Sequence, residues 1–282
     1  MEKLLICTDL DRTLIPNGVQ PESPNARKEF STLVSRPEVS LAYVSGRRRN
    51  LVQQAITLYD LPLPDFVIGD VGATLYRVES LERWHASDEW RDEISREWGD
   101  NSHARLKLLF SDLIDLRPQE TSNQNRYKLS YYVPQQADRH RLISEMRGRL
   151  SPEGINANLI WSLDEPAGVG LLDVLPAGAS KLHAIEFLMA QESFTPEQVL
   201  FAGDSGNDME VLVSALPSVL VANSLLDVQK LAVQEAERNG TRQQLYLAKG
   251  NGLGMNGNYA AGILEGIVHF YPANAGLMED QL

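Results

Sequence analysis

The sequence predicts an α/β fold, a parallel sheet core flanked by helices and interrupted by an inserted α+β unit. Short apolar runs alternate with helix-period segments over residues 1–79, the alternation fails over 80–176, and it resumes over 177–282. Regular alternation calls for parallel strands joined by crossover helices. The middle stretch, where strands and helices do not alternate one for one, has to bury its apolar faces as a unit of its own. The expected domains are therefore a core of residues 1–79 and 177–282 and an insertion of 80–176.

The first expected strand is Lys3 to Thr8, a short apolar run that stops abruptly at acidic residues. Ser23 to Val34 reads as a helix, with Ser23 as N-cap, Pro24 in the first turn, and Phe30, Leu33 and Val34 on one face. The strand Ser40 to Val44, a helix from Arg49 to Tyr59, the strand Asp65 to Ile68 and a hairpin-like piece, Gly72 to Tyr76, follow. In the insertion, Trp84, Trp90 and Trp98 crowd a polar, charged stretch. Strands are expected at Lys128 to Val133, Asn158 to Ser162 and Gly170 to Leu175, with an Arg-rich amphipathic helix at Ala137 to Leu150. The α/β rhythm then returns: helix Lys181 to Met189, strand Gln198 to Ala202, helix Asp208 to Ala215, strand Ser218 to Ala222. A polar stretch from Gln229 to Gly257 precedes a closing helix, Tyr259 to Phe270, striped by Ile263, Leu264, Ile267 and Val268. Lys249 to Asn258 reads as a flexible glycine-rich loop, and residues 272–282 as a loosely held tail.

Of the 282 residues, 43% are hydrophobic and 23% charged, the balance of a soluble globular protein. A net charge of −12 argues against nucleic acid or an anionic membrane surface as the main partner. The single cysteine, Cys7, cannot form an internal disulfide and sits in an apolar run as a core residue. The N-terminus lacks the basic and apolar parts of a secretory signal. No apolar run approaches the roughly 18 residues of a membrane span, so a cytoplasmic location is expected.

Asp9 and Asp11 stand at the carboxyl end of the first strand, where parallel sheets present their functional residues. Two carboxylates held there cost several kcal/mol through desolvation and repulsion, which a hard cation with oxygen ligands such as Mg2+ relieves. A lone pair of this kind suits a solvated acidic turn equally well. A second glycine-rich acidic turn, Gly203-Asp204-Ser205-Gly206-Asn207-Asp208, follows another apolar strand. Its glycines permit close backbone approach, and Asp208 taken alone serves equally as a helix N-cap. Ser45-Gly46-Arg47 ends a third strand and opens a helix, a geometry that suits phosphate oxygens. Lys181 opens a fourth helix, where a cation opposes the helix dipole unless it faces an anion.

Taken together, Asp9-x-Asp11-x-Thr13, Ser45-Gly46-Arg47, Lys181 and Gly203-Asp204-x-x-Asn207-Asp208 resemble the haloacid dehalogenase superfamily, in its motif order. The resemblance implies a Rossmann-like core with a C2-type cap over residues 80–176 and a Mg2+-dependent phosphatase activity. It implies Asp9 as nucleophile and Asp11 as general acid/base. Ser45, Gly46, Lys181 and Asn207 are implied as phosphate-binding, and Asp9, Asp11 (through its backbone carbonyl), Asp204 and Asp208 as holding the metal. Three further segments, Tyr127 to Tyr132, Leu172 to Pro176 and Tyr259 to Phe270, are similar to the sucrose-phosphate phosphatase group.

That resemblance implies a sugar-phosphate substrate, sucrose 6-phosphate foremost, and a sugar-phosphate synthase as a possible partner. Mannosylfructose-phosphate, glucosylglycerol-phosphate and glycosylglycerate phosphate stay open, as do a phosphomannomutase-like activity and a non-catalytic partner of a synthase. Arg47, Lys128, Ser162, Asp164 and Glu165 are the candidate sugar contacts, although Lys128 fits a solvated strand lysine almost as well. Arg12, between Asp11 and Thr13, is placed either to touch the leaving group or to pair with an acid. His183 and His269 read as packing or surface residues.

Overall fold

The computed structural model describes residues 3–96, 98, 103–164, 167–250 and 254–272. The chain starts with β1 (Leu4–Thr8), α1 (Ala26–Val34), β2 (Val39–Val44), α2 (Arg49–Leu58) and β3 (Phe66–Gly69). β4 (Thr74–Val78), β5 (Trp84–Ala86) and α3 (Asp88–Ser95) come next. After them lie α4 (His103–Leu109), β6 (Arg117–Pro118), β7 (Leu129–Pro134), α5 (Arg139–Leu150), β8 (Ala157–Asp164) and β9 (Val169–Pro176). The last part holds α6 (Lys181–Glu192), β10 (Val199–Gly203), α7 (Met209–Leu212), β11 (Ser218–Leu220), α8 (Leu226–Asn239), β12 (Leu245–Leu247) and α9 (Ala260–Phe270).

β1 is buried throughout because it lies mid-sheet with helices on both faces. Its side chains alternate: Leu4 and Ile6 enter the layer packed with Phe30, Val52 and Ile263, while Leu5 and Cys7 enter the one packed with Ile185, Val211 and Ala232. The eight-stranded sheet runs β12-β11-β10-β1-β2-β3-β4-β5, parallel as far as β3 and antiparallel for the last two pairings. The order steps from β1 to β2 on one side and to β10 on the other, so a crevice opens at the carboxyl ends of these strands. A separate four-stranded antiparallel sheet, β6-β7-β9-β8, packs Leu129, Tyr131, Leu172 and Val174 against Leu106, Leu142 and Met146 of α4 and α5.

Several expectations need correcting. The large sheet runs past residue 80, since β5 pairs with β4 and Trp90 of α3 packs beside Ile185 while donating to the Gly72 carbonyl at 3.0 Å. The N-cap of α1 is Asn25, at φ 62°, not Ser23, whose hydroxyl accepts the Asn256 N–H at 2.9 Å. The stretch from Gln229 to Gly257 contains most of α8 and all of β12. α8 buries only Ala232 and Ala236, too small a stripe to declare itself as an amphipathic helix. Of the expected glycine-rich loop, residues 251–253 lie outside the described residues, as do 273–282 of the expected tail. Lys249 and Gly250 are held, each donating its N–H to the buried Glu265 carboxylate. Among the described residues, no helix is long and apolar enough to cross a membrane.

Two glycines separate packing from propensity. A Cβ on Gly262 of α9 would lie 2.3 Å from the Gly257 carbonyl oxygen, whereas one on Gly148 of α5 meets nothing within 4 Å. Gly262→Ala should destabilise the protein by about 1–3 kcal/mol, and Gly148→Ala should stabilise it by roughly 0.5–1 kcal/mol. Urea unfolding of the two variants checks both signs.

Candidate active site

The register Thr8↔Ala202 sets Asp9 beside the Gly203-Asp204 turn, and Thr8↔Tyr43 brings Ser45 to the same level on the other side. The Asp9 N–H donates to the Ala202 carbonyl at 2.9 Å before the chain turns away. A Cβ on Gly203 would lie 2.7 Å from the Asp208 carboxyl, so only glycine lets Asp208 tuck beneath the turn. Asp208 Oδ2 accepts the N–H groups of Asp204 and Ser205, both at 3.1 Å. Its Oδ1 accepts from Lys181 Nζ at 2.6 Å, and no side-chain cap bond runs from Asp208 to α7. Its carboxylate is thus occupied within the site.

Lys181 is the first residue of α6, which Ser180 caps by accepting the His183 N–H at 3.2 Å. Its ammonium is buried and donates to Asp9 Oδ1 at 2.9 Å, Asp208 Oδ1 at 2.6 Å and Asn207 Oδ1 at 3.2 Å. On the far side of the cluster, Arg12 Nε lies 3.4 Å from Asp204 Oδ2, so Arg12 pairs with an acid. Thr13 donates to Asp204 Oδ1 at 3.5 Å.

Asp9, Asp204 and Asp208 are all buried and offer oxygens within 4.8 Å of one another. Three carboxylates face the two cations Lys181 and Arg12, so negative charge is in excess. Burial pushes the Asp9 carboxyl up to about 7, with Asp208 and Asp11 adding to the rise and Lys181 opposing it. Burial likewise raises Asp204 well above the usual carboxylate range, reinforced by Asp208 and Asp9 and opposed by Arg12. Hard oxygen donors with uncompensated charge are what a hard divalent cation needs, and the trio fits one.

The Asp11 carboxyl lies elsewhere. Arg47 grips it as a fork, Nε to Oδ2 at 2.7 Å and Nη2 to Oδ1 at 2.6 Å, and Asn17 Nδ2 donates to Oδ1 at 2.7 Å. Burial raises Asp11, but Arg47 and Asn17 outweigh it and hold the carboxyl below its usual range. The Asp11 side chain is therefore outside the metal-fitting trio.

Ser45 is buried and its Oγ accepts the Arg47 N–H at 3.2 Å. The Gly46 carbonyl accepts from Lys128 Nζ at 3.4 Å, and Lys128 also pairs with Asp173 of β9 at 3.7 Å. Lys128 is thus a buried tie between the two sheets, not a solvated strand lysine. A cavity of 1180 Å³ runs from the strand ends to the four-stranded sheet, lined among others by Asp9, Asp11, Arg47, Lys128, Ser162 and Asp164. Lys181 and Asp208, both buried, back this wall. Glu165 lies outside the described residues.

Sequence reasoning missed Asn17, Asp173 and Asn223. Asp173 carried a signal, an acid inside the apolar run Leu171-Leu172-Asp173-Val174-Leu175. Asn17 and Asn223 sit in loops, and only the fold brings them to the site.

Residues 2–271 match the family model described as sucrose-6F-phosphate phosphohydrolase. The chain belongs to the sucrose-6F-phosphate phosphohydrolase family. A member of this family is a phosphoric monoester hydrolase. Over 99% of its length the chain is 51% identical to a protein of Nitrosococcus oceani described as a HAD-like hydrolase, of which it covers 74%. It is 30% identical, over 95% of its length, to the glucosylglycerol-phosphate synthase of Pseudomonas anguilliseptica, but spans only 31% of that chain. The sucrose-phosphatase of Synechocystis sp. PCC6803, solved with sucrose and phosphate, superposes at a TM-score of 0.76 with 26% identity. That match covers 96% of this chain and 98% of the cyanobacterial one.

The raised Asp9 carboxyl gives a signed expectation. A raised acid stabilises the metal-free fold below the ordinary carboxylate range and loses that contribution as pH rises through about 7. A divalent cation favours the ionised form and should restore it. The increase in Tm on adding saturating Mg2+ should be larger at pH 8 than at pH 5.5; the reverse order in thermal scans would contradict the charge assignment.

Proposed function

We propose that the protein is a Mg2+-dependent phosphatase of a disaccharide phosphate, sucrose 6-phosphate first, acting through an aspartyl-phosphate on Asp9. The observation that carries this reading is the placement of Asp9: buried at the cavity wall, 2.9 Å from the Lys181 ammonium and within the carboxylate trio. The sucrose and phosphate bound by the Synechocystis relative support the choice of substrate.

In this reading an Asp9 oxygen forms a bond to phosphorus while the bond from phosphorus to the sugar oxygen breaks. Asp11 gives its proton to the departing oxygen. Water then attacks phosphorus, Asp11 takes a proton from it, and the bond to Asp9 breaks to release inorganic phosphate. Asp9, Asp204 and Asp208, with the Asp11 carbonyl, would hold Mg2+, which when bound would supply charge neutralisation on the nonbridging oxygens. Lys181 shares that task, and Ser45, Gly46 and Asn207 orient the phosphoryl group. Asp11 cannot donate while Arg47 holds it ionised, so Arg47 must turn from Asp11 to the incoming phosphate, an equally good partner for its fork.

The insertion serves as the cap, and its sheet face, with Lys128, Ser162 and Asp164, selects the sugar through directed polar contacts. A second reading, a glucosylglycerol-phosphate substrate, is favoured by the 30% identity to part of a glucosylglycerol-phosphate synthase. The same match supports a glycosyl-phosphate synthase as the partner of this reading.

Asp9→Asn should lower Mg2+-dependent phosphate release about 10⁴-fold or more while the protein still folds, as judged by its circular dichroism spectrum and a cooperative unfolding transition. Appreciable turnover in a contamination-free preparation would remove Asp9 from the nucleophile's role. A phosphate-release panel of sucrose 6-phosphate, glucosylglycerol-phosphate, mannosylfructose-phosphate and glucose 6-phosphate should give the highest kcat/KM on the first. Preference for glucose 6-phosphate would overturn the disaccharide reading, and transfer without free phosphate would point to a mutase.

A further inference from the structure

Arg12 is held in a conformation that arginine rarely adopts, with φ at 60°. Strain of this kind persists only where the surroundings enforce it. Two asparagines enforce it: Asn17 Oδ1 accepts the Arg12 N–H at 2.8 Å, and the other is Asn223, in the turn after β11. Its Nδ2 donates to the Arg12 carbonyl at 2.6 Å, and its own carbonyl accepts from Arg12 Nη2 at 3.2 Å. The remaining amide oxygen accepts the Tyr259 N–H at 2.8 Å, at the start of the closing helix. Asn223 is buried, so these contacts have no competing water. Both ends of Arg12 are gripped, and the guanidinium is left beside Asp204.

A guanidinium on a carboxylate of the trio competes with any cation that needs the same oxygens, because like charges repel strongly in a buried site. We propose that Arg12 is an internal competitor for the metal, seated on Asp204, and that Asn223 is the positioning residue that keeps it there. The trio is thereby kept from holding a divalent cation as tightly as its charge alone would dictate. Arg12 also borders the cavity. This inference rests on the metal reading above but assigns residues outside that reading's catalytic set.

The test is calorimetric titration of the substrate-free, metal-free protein with Mg2+. Arg12→Gly removes the competitor and relieves the left-handed backbone, and it should tighten Mg2+ about tenfold. Asn223→Ala should tighten Mg2+ about threefold in the parent but not in the Arg12→Gly background. Its loss of Tm, a purely structural effect, should appear in both backgrounds. Tyr259→Phe removes the hydroxyl's bonds to the Gln20 carbonyl and Oε1 but leaves the Tyr259 N–H on Asn223, and it should leave Mg2+ affinity unchanged. Unchanged or weaker Mg2+ binding by Arg12→Gly overturns the proposal, and that variant suffices should Asn223→Ala not fold. Equal effects of Asn223→Ala in both backgrounds overturn the positioning role. Absence of Mg2+ binding by the parent overturns the metal reading as well.

Discussion

Two buried carboxylates, those of Asp9 and Asp208, converge on the ammonium of Lys181, while Asp204 completes the trio from the next turn. Such a group of charges is costly to bury unless each is answered nearby. Lys181 answers two, Arg12 leans on the third, and the excess that remains is what a divalent cation relieves. Much of the neighbouring architecture follows from that need. Gly203 is bare so that Asp208 can lie under its turn, and α6 begins where its first side chain reaches back across the sheet end.

The central parallel strands bring these residues together, since neighbouring strands in register end at one level. The four-stranded sheet contributes differently. Lys128 spans from Asp173 on that sheet to the carbonyl of Gly46 just past the end of β2, so the two layers meet through a buried ion and a backbone dipole. Charged side chains at the strand ends, Asp9, Asp11 and Arg47 among them, and the face of the four-stranded sheet with Ser162 and Asp164 line one shared cavity. The closing helix joins in from behind: Tyr259 holds Asn223, Asn223 holds Arg12, and Arg12 faces Asp204. A segment that reads as simple cover for the sheet is therefore wired to the charged cluster.

Legibility in the sequence tracked how local the cause was. β1 is a continuous apolar run because both its faces are covered, so it is visible without any partner. α8 is nearly silent because its contact with the core consists of two alanines, and β12 because it is three residues at a sheet edge. Ser23 has the chemistry of an N-cap, yet its hydroxyl serves a loop more than two hundred residues away, and Asn25 takes the cap position by adopting a left-handed backbone.

What the sequence determined by itself was the alternation of strand and helix and the clustering of acids, glycines and one lysine immediately after apolar strands. Both are encoded within a few neighbouring residues, and a parallel sheet presents such residues at one edge. Only the tertiary structure decided which charges answer which. Lys181 reaches Asp9 and Asp208, Arg12 reaches Asp204, and Arg47 grips Asp11, separating that carboxyl from the trio two residues away. Those pairings depend on distances across strands far apart in the chain and on burial that makes every unpaired charge expensive. Neither is written in local pattern.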